Sequence, residues 1–120
     1  MDTKQKVKIV FDTDIGGDCD DAGALAMLHR LCDLGEAQLV AVTASYASPF
    51  VAGCIDAVKL LRKVLSQAEN HSITFVVTGS MTTAAGLVCS TPDEFSPLFG
   101  KELISQKICR TVVMGGSFYG

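Results

Sequence analysis

Between Phe11 and Ala26 the chain reads FDTDIGGDCDDAGALA, which places five aspartates (Asp12, Asp14, Asp18, Asp20 and Asp21) inside ten positions. Carboxylates this close repel one another. The crowding needs a cation to neutralise it, or acid–base or nucleophilic work to do, or a solvated turn at a helix start. Helix capping accounts for Asp20 or Asp21, because a helix N-terminus favours negative charge by about 0.3–1 kcal/mol. It leaves three aspartates and the Gly16-Gly17 pair unexplained. Glycines beside carboxylates let the backbone curl until several oxygens converge, and converging oxygens suit a hard cation such as calcium or magnesium. An EF-hand loop is excluded. Counted from Asp12, its closing glutamate falls on Gly23, and the flanking element has strand character.

The elements that must position these residues alternate along the chain. VKIVFD (Val7–Asp12) is a near-continuous β-branched run, as expected of a strand buried on both faces. A helix follows from Asp20, with Leu25, Leu28 and Cys32 on one stripe and Gly35 at its stop. QLVAVTA (Gln38–Ala44) reads as a second strand. The next helix spans about Ala52 to Gln67, with Cys54, Val58, Leu61 and Leu65 on its apolar stripe. SITFVVTG (Ser72–Gly79) is a third strand, followed by a short helix in MTTAAGLVC with Ser80 as its N-cap. Thr91-Pro92-Asp93-Glu94 has the form of a capping box with proline at the first helical position, so a further short helix is expected there. KICRTVVMGG (Lys107–Gly116) closes the series as a fourth strand. The fold class is therefore α/β: a parallel sheet of about four strands with helices on its faces, Rossmann-like, in a single domain over residues 1–120. Ligands bind outside the carboxyl ends of the strands in such sheets. The acidic loop, Thr43–Ser48, VTGS and MGGS all fall at those ends.

Composition narrows the function classes. A chain of 120 residues, 48% hydrophobic, carries enough apolar material for a core and lacks the low hydrophobicity and high net charge of a disordered one. A net charge of −3 and the absence of a basic cluster give no reason to expect nucleic acid; Lys59, Arg62 and Lys63 read as a solvated helix face. No apolar run reaches the roughly 18 residues of a membrane span, and MDTKQKVKIVF lacks a signal-peptide core. Five cysteines without a C-x-x-C pair support neither a disulfide framework nor a zinc site. They fit a reducing, cytoplasmic setting. Cys32 and Cys54 read as core residues, and Cys19 as the thiol open to oxidation.

Two families begin with a strand and Asp-x-Asp. In haloacid-dehalogenase-type phosphatases the first aspartate is a nucleophile and the second a general acid, and Thr78 would supply the later strand-end hydroxyl. Gly16 stands where that pattern wants Thr or Val, and that family does not need Asp20-Asp21. The chain more closely resembles the inosine–uridine-preferring nucleoside hydrolases. Asp12, Asp14, Gly16, Asp20, Asp21 and Ala22 match their Asp-x-Asp-x-Gly and Asp-Asp-Ala segments. TFVVTGSMTTAAGL and TVVMGGSF resemble two further landmarks, in order.

The resemblance implies calcium-dependent hydrolysis of the N-glycosidic bond of ribonucleosides, a purine and pyrimidine salvage chemistry. It implies Asp14, Asp21 and the Thr78 carbonyl as calcium ligands, Asp14 also as the base for the attacking water, and Asp20 and Met114 as ribose contacts. Departures accompany it. The loop is two residues longer than the shortest family pattern, which leaves Asp18 without a counterpart, and Ser45–Ser48 replace the family's Gly-Asn. Ser80 and Thr83 replace its Pro and Asn. The family's later Glu-Phe-Asn segment, last calcium-binding aspartate and leaving-group histidine have no match here, and His29 and His71 read as surface or packing residues. The expectation is the amino-terminal part, or an internally shortened form, of such a hydrolase. A non-catalytic chain of the same fold is the alternative, and the phosphatase stands third. An incompletely covered sheet also predicts homo-oligomerisation.

Overall fold

The computed structural model describes residues 5–15, 19–44 and 57–115. Strand β1 (Val7–Thr13) leads through helix α1 (Asp20–Asp33) to β2 (Ala37–Ala44). Helix α2 (Ala57–Gln67), β3 (Ile73–Val77), α3 (Thr82–Val88), α4 (Gly100–Lys107) and β4 (Ile108–Val113) follow. All pairings are parallel, in the order β2-β1-β3-β4. The expected α/β sheet is present. Its order reverses direction between β1 and β3, which opens a crevice at their carboxyl ends.

Strand alternation divides the apolar residues between two cores. Val10, Ile73, Phe75 and Val77 pack against Leu61 and Leu65 of α2, Ala84 and Leu87 of α3, and Leu103 of α4. Ile9, Phe11 and Ala37 pack on the opposite face against Ala24, Leu25, Leu28, Leu31 and Cys32 of α1. The stripe read from the sequence thus faces the sheet in α1. Helix α1 stops because Gly35 adopts φ 74°. The N–H of Gly35 then reaches the Cys32 carbonyl and that of Glu36 the Leu31 carbonyl, a Schellman closure that side chains with a Cβ disfavour.

Three local expectations are corrected. The helix expected at Thr91 does not form: residues 91–99 are irregular, and α4 begins at Gly100. Asp93 does accept from the backbone N–H groups of Phe95 and Ser96, each at 3.1 Å. Pro97, however, forces Ser96 out of helical backbone and supplies no N–H, so the turn cannot propagate. At α3 the N-cap position is Met81 rather than Ser80, whose hydroxyl lies 2.9 Å from that of Thr82 instead. Arg62 is not on a solvated face. It is 2% exposed, paired through Nε with Asp93 Oδ2 at 2.8 Å, and donates to Ser90 Oγ and to the carbonyls of Ser96 and Leu98. The start of α2 and Cys54 lie outside the described residues.

Candidate functional site

The crevice at the carboxyl ends of β1 and β3 is built around Asp21. Position 21 is the second residue of α1, whose opening turn sits over the end of β1, and Asp21 is 1% exposed. Its Oδ1 accepts two hydroxyls, Thr13 Oγ1 and Thr78 Oγ1, each at 2.6 Å. Thr13 ends β1 on the face that α1 covers; Thr78 immediately follows β3. The other oxygen, Oδ2, is buried with no hydrogen-bond partner. A buried carboxylate oxygen left unpaired is costly, which marks the place where a cation or a polar ligand would be stabilising. Asp14, half-buried just past β1, brings its carboxyl to within hydrogen-bonding reach of Asp21. Its bond to Asp21, then burial, then repulsion from Asp21 and Asp20, push the Asp14 carboxyl above its ordinary value. Burial pushes Asp21 in the same direction, but bonds from Thr13, Thr78, Asp14 and Asp20 outweigh it and hold this carboxyl low.

Asp12 points to the other face and fastens the strand ends. It is fully buried, Thr43 Oγ1 of β2 donates to its Oδ1 at 2.6 Å, and its Oδ2 has no partner. Its backbone carbonyl accepts the Thr78 N–H at 2.9 Å. Burial raises the Asp12 carboxyl above its ordinary value, against the hydroxyls of Thr43 and Thr83, and the charge of Asp14 adds to the rise. Asp12 therefore supports Thr78, which in turn holds Asp21.

The structure brings Asp14, Asp21 and Thr78 together at one crevice. Asp20 is exposed at the first position of α1, where its Oδ1 accepts the Asp21 N–H at 3.0 Å. Met114 follows β4 on the same edge, one strand beyond Thr78, and its N–H donates to the Val77 carbonyl. Asp18, Gly16, Gly17, Ser45–Ser48 and Gly116 lie outside the described residues. The sequence reading missed Thr13, although a hydroxyl between two aspartates at the end of an apolar run is a visible signal. Thr43 enters the sequence analysis only as part of the Thr43–Ser48 strand end.

Among the described residues no three His, Cys, Asp or Glu side chains form a metal-holding cluster. The fit to a hard cation therefore rests on two carboxylates, one with an orphaned buried oxygen, and on oxygen donors from Thr78. These are oxygen atoms, the donor class that hard cations take. None of the helices among the described residues is long and apolar enough to cross a membrane. No protein-family model, curated protein or solved structure matches this chain.

Proposed function

We propose that this chain is a nucleoside-hydrolase-like protein whose crevice cleaves the N-glycosidic bond of ribonucleosides. The observation that carries the reading is the unpartnered Asp21 Oδ2 beside Asp14 at the switch between β1 and β3. Asp14, Asp21 and Thr78 are the residues that would hold calcium. Bound there, calcium supplies a Lewis acid that lowers the pKa of water and orients it. Asp14 takes the proton of the attacking water, whose oxygen bonds to the anomeric carbon as the carbon–nitrogen bond breaks. Asp20, exposed at the rim, accepts a ribose hydroxyl, and Met114 borders the sugar. Thr13 and Thr78 keep Asp21 ionised, and Asp12 keeps Thr78 in place.

The departing base needs a proton, and one observation favours a second reading. His29 lies exposed in mid-α1, and His71 precedes β3 at the opposite edge of the sheet, so neither serves that base. A chain of this fold that binds a cation and a nucleoside without turnover is the alternative. The phosphatase reading is weaker still, because its nucleophile would be Asp12, which is 0% exposed and bonded to Thr43.

Release of ribose and free base from inosine or uridine, with calcium added or chelated, tests the proposal. Asp14→Asn is expected to lower the rate by about 10²–10⁴-fold, the usual contribution of a positioned base. An Asp14→Asn protein as active as the parent would remove the assigned base. Calcium binding by calorimetry without turnover would select the binding-only reading.

A further inference from the structure

At the edge of the sheet opposite the carboxylates lies a groove of about 380 Å³, lined by Lys6, Lys8, His71, Ser72, Thr74 and Arg110, among others. Among the described residues no carboxylate lines it. Lys8 Nζ lies 4.0 Å from a carboxylate oxygen of Glu69, which is itself largely exposed. Lys6 and Arg110 thus bring two cationic side chains to the lining in a protein whose net charge is −3, while Lys8 also borders the α2 face, where Glu69 lies. A concave surface carrying one sign of charge concentrates ions of the other sign.

Two backbone irregularities shape this groove. Ile73 pairs with Ile108 but Thr74 pairs with Arg110, so Cys109 is an extra residue in β4. Such a bulge re-aims its neighbours. Here the Cys109 thiol turns back to the Ile73 carbonyl at 3.4 Å, and Arg110 takes the register position beside Thr74. His71 holds φ 53°, a left-handed conformation, although it is not glycine. Its N–H and that of Ser72 are tied to the Gln106 and Lys107 carbonyls at the end of α4. Holding a non-glycine residue there costs on the order of 1 kcal/mol or more, and such strain clusters at functional sites. Guanidinium, ammonium and hydroxyl groups together are the donor set for a phosphate oxygen cage.

We propose that this groove binds a small phosphate-bearing anion, independently of the crevice chemistry. Inorganic phosphate and pyrophosphate are the probes, titrated into the whole chain by calorimetry and by amide NMR. Amide shifts are expected at His71–Thr74 and Cys109–Arg110. The double variant Lys6→Gln/Arg110→Gln is expected to bind about tenfold more weakly or worse, the loss of one or more charge-assisted bonds. Lys63→Gln/Lys101→Gln removes the same charge from exposed helix positions and is expected to change affinity less than about twofold. Equal losses in the two double variants would reduce the effect to general surface charge and overturn the site. So would shifts centred on Asp20 and Asp21, or an absence of binding at millimolar phosphate. The shift map on the parent chain decides the matter even if the double variant fails to fold.

Discussion

Thr13→Val isolates the hydroxyl that holds Asp21 in the crevice. Valine matches threonine in shape and suits a strand, and position 13 is 1% exposed, so packing is preserved while one 2.6 Å bond to Asp21 Oδ1 is lost. Thr78 still donates to the same oxygen, so the carboxylate is weakened rather than abandoned. A hydrogen bond to a charged group contributes about 1.5–3 kcal/mol, and about 2 kcal/mol is expected at pH 7. For a chain of this length that corresponds to a fall in Tm of roughly 6–10 °C. The same loss raises the Asp21 carboxyl toward its ordinary value, because one of the bonds that hold it low is gone. The sign follows from linkage. The folded-state Asp21 carboxyl lies below its value of 3.8 in the free side chain, so its stabilisation is present above that pH and is lost as pH falls through the folded-state value. Urea unfolding at pH 7 and at pH 2.5, with NMR titration of the Asp21 carboxyl, measures both effects. The penalty should shrink at the acidic end. A penalty of equal size at both pH values, or none at pH 7, would refute the claim that Thr13 stabilises an ionised Asp21.

Arg62→Ala should destabilise the chain by about 3–5 kcal/mol in urea unfolding, since it strands Asp93 and the carbonyls of Ser96 and Leu98 beside a void. A loss under 1 kcal/mol would return Arg62 to the surface. Gly100→Ala places a Cβ 1.8 Å from the Leu87 carbonyl oxygen, and the backbone must move. A cost of at least about 2 kcal/mol is expected, and an unchanged Tm would contradict the packing of α4 on α3. Val112, Val113 and Met114 are 46%, 44% and 56% exposed along β4, so the parent chain should self-associate and Val112→Lys should shift it toward monomer in light scattering. A parent that is monomeric at high micromolar concentration would end that expectation. Calcium affinity should rise with pH across the range just above the ordinary carboxylate value, because the Asp14 carboxyl, held high beside Asp21, must lose its proton to act as a ligand. A pH-independent affinity by calorimetry would remove Asp14 from the ligand set.

Element type was legible wherever a local rule decides it. The β-branched run at Val7, the apolar stripe of α1 and the glycine stop at Gly35 each act within a few residues, so spacing alone carries them. The Thr91 segment failed for a related reason: Asp93 does cap the donors that a helix start would offer, but Pro97, three residues beyond Glu94, cancels the helix. Arg62 was misread because a positive charge on a helix is usually solvated. What buries it is a set of acceptors at Ser90, Asp93, Ser96 and Leu98, about thirty positions away, as the bonded separations of 28 to 36 residues record.

The aspartate cluster shows the same division. Residue types and spacing alone mark carboxylate chemistry at the end of the first strand, and the alternation of elements sends the later polar strand ends to the same edge. The ranking among the aspartates comes from contacts between distant segments. Asp21 is held ionised by hydroxyls from β1 and from the turn after β3, separations of 8 and 57 residues. Asp12 is sealed by Thr43, 31 residues away, and becomes a support. Asp20 is exposed at the first position of α1. Charge is local to a residue, but the dielectric and hydrogen-bond partners that set its proton affinity belong to the assembled sheet. The groove around Arg110 is the extreme case: its lining comes from the approach to β1, the turn before β3, and β4, and no single window of the chain holds these residues together.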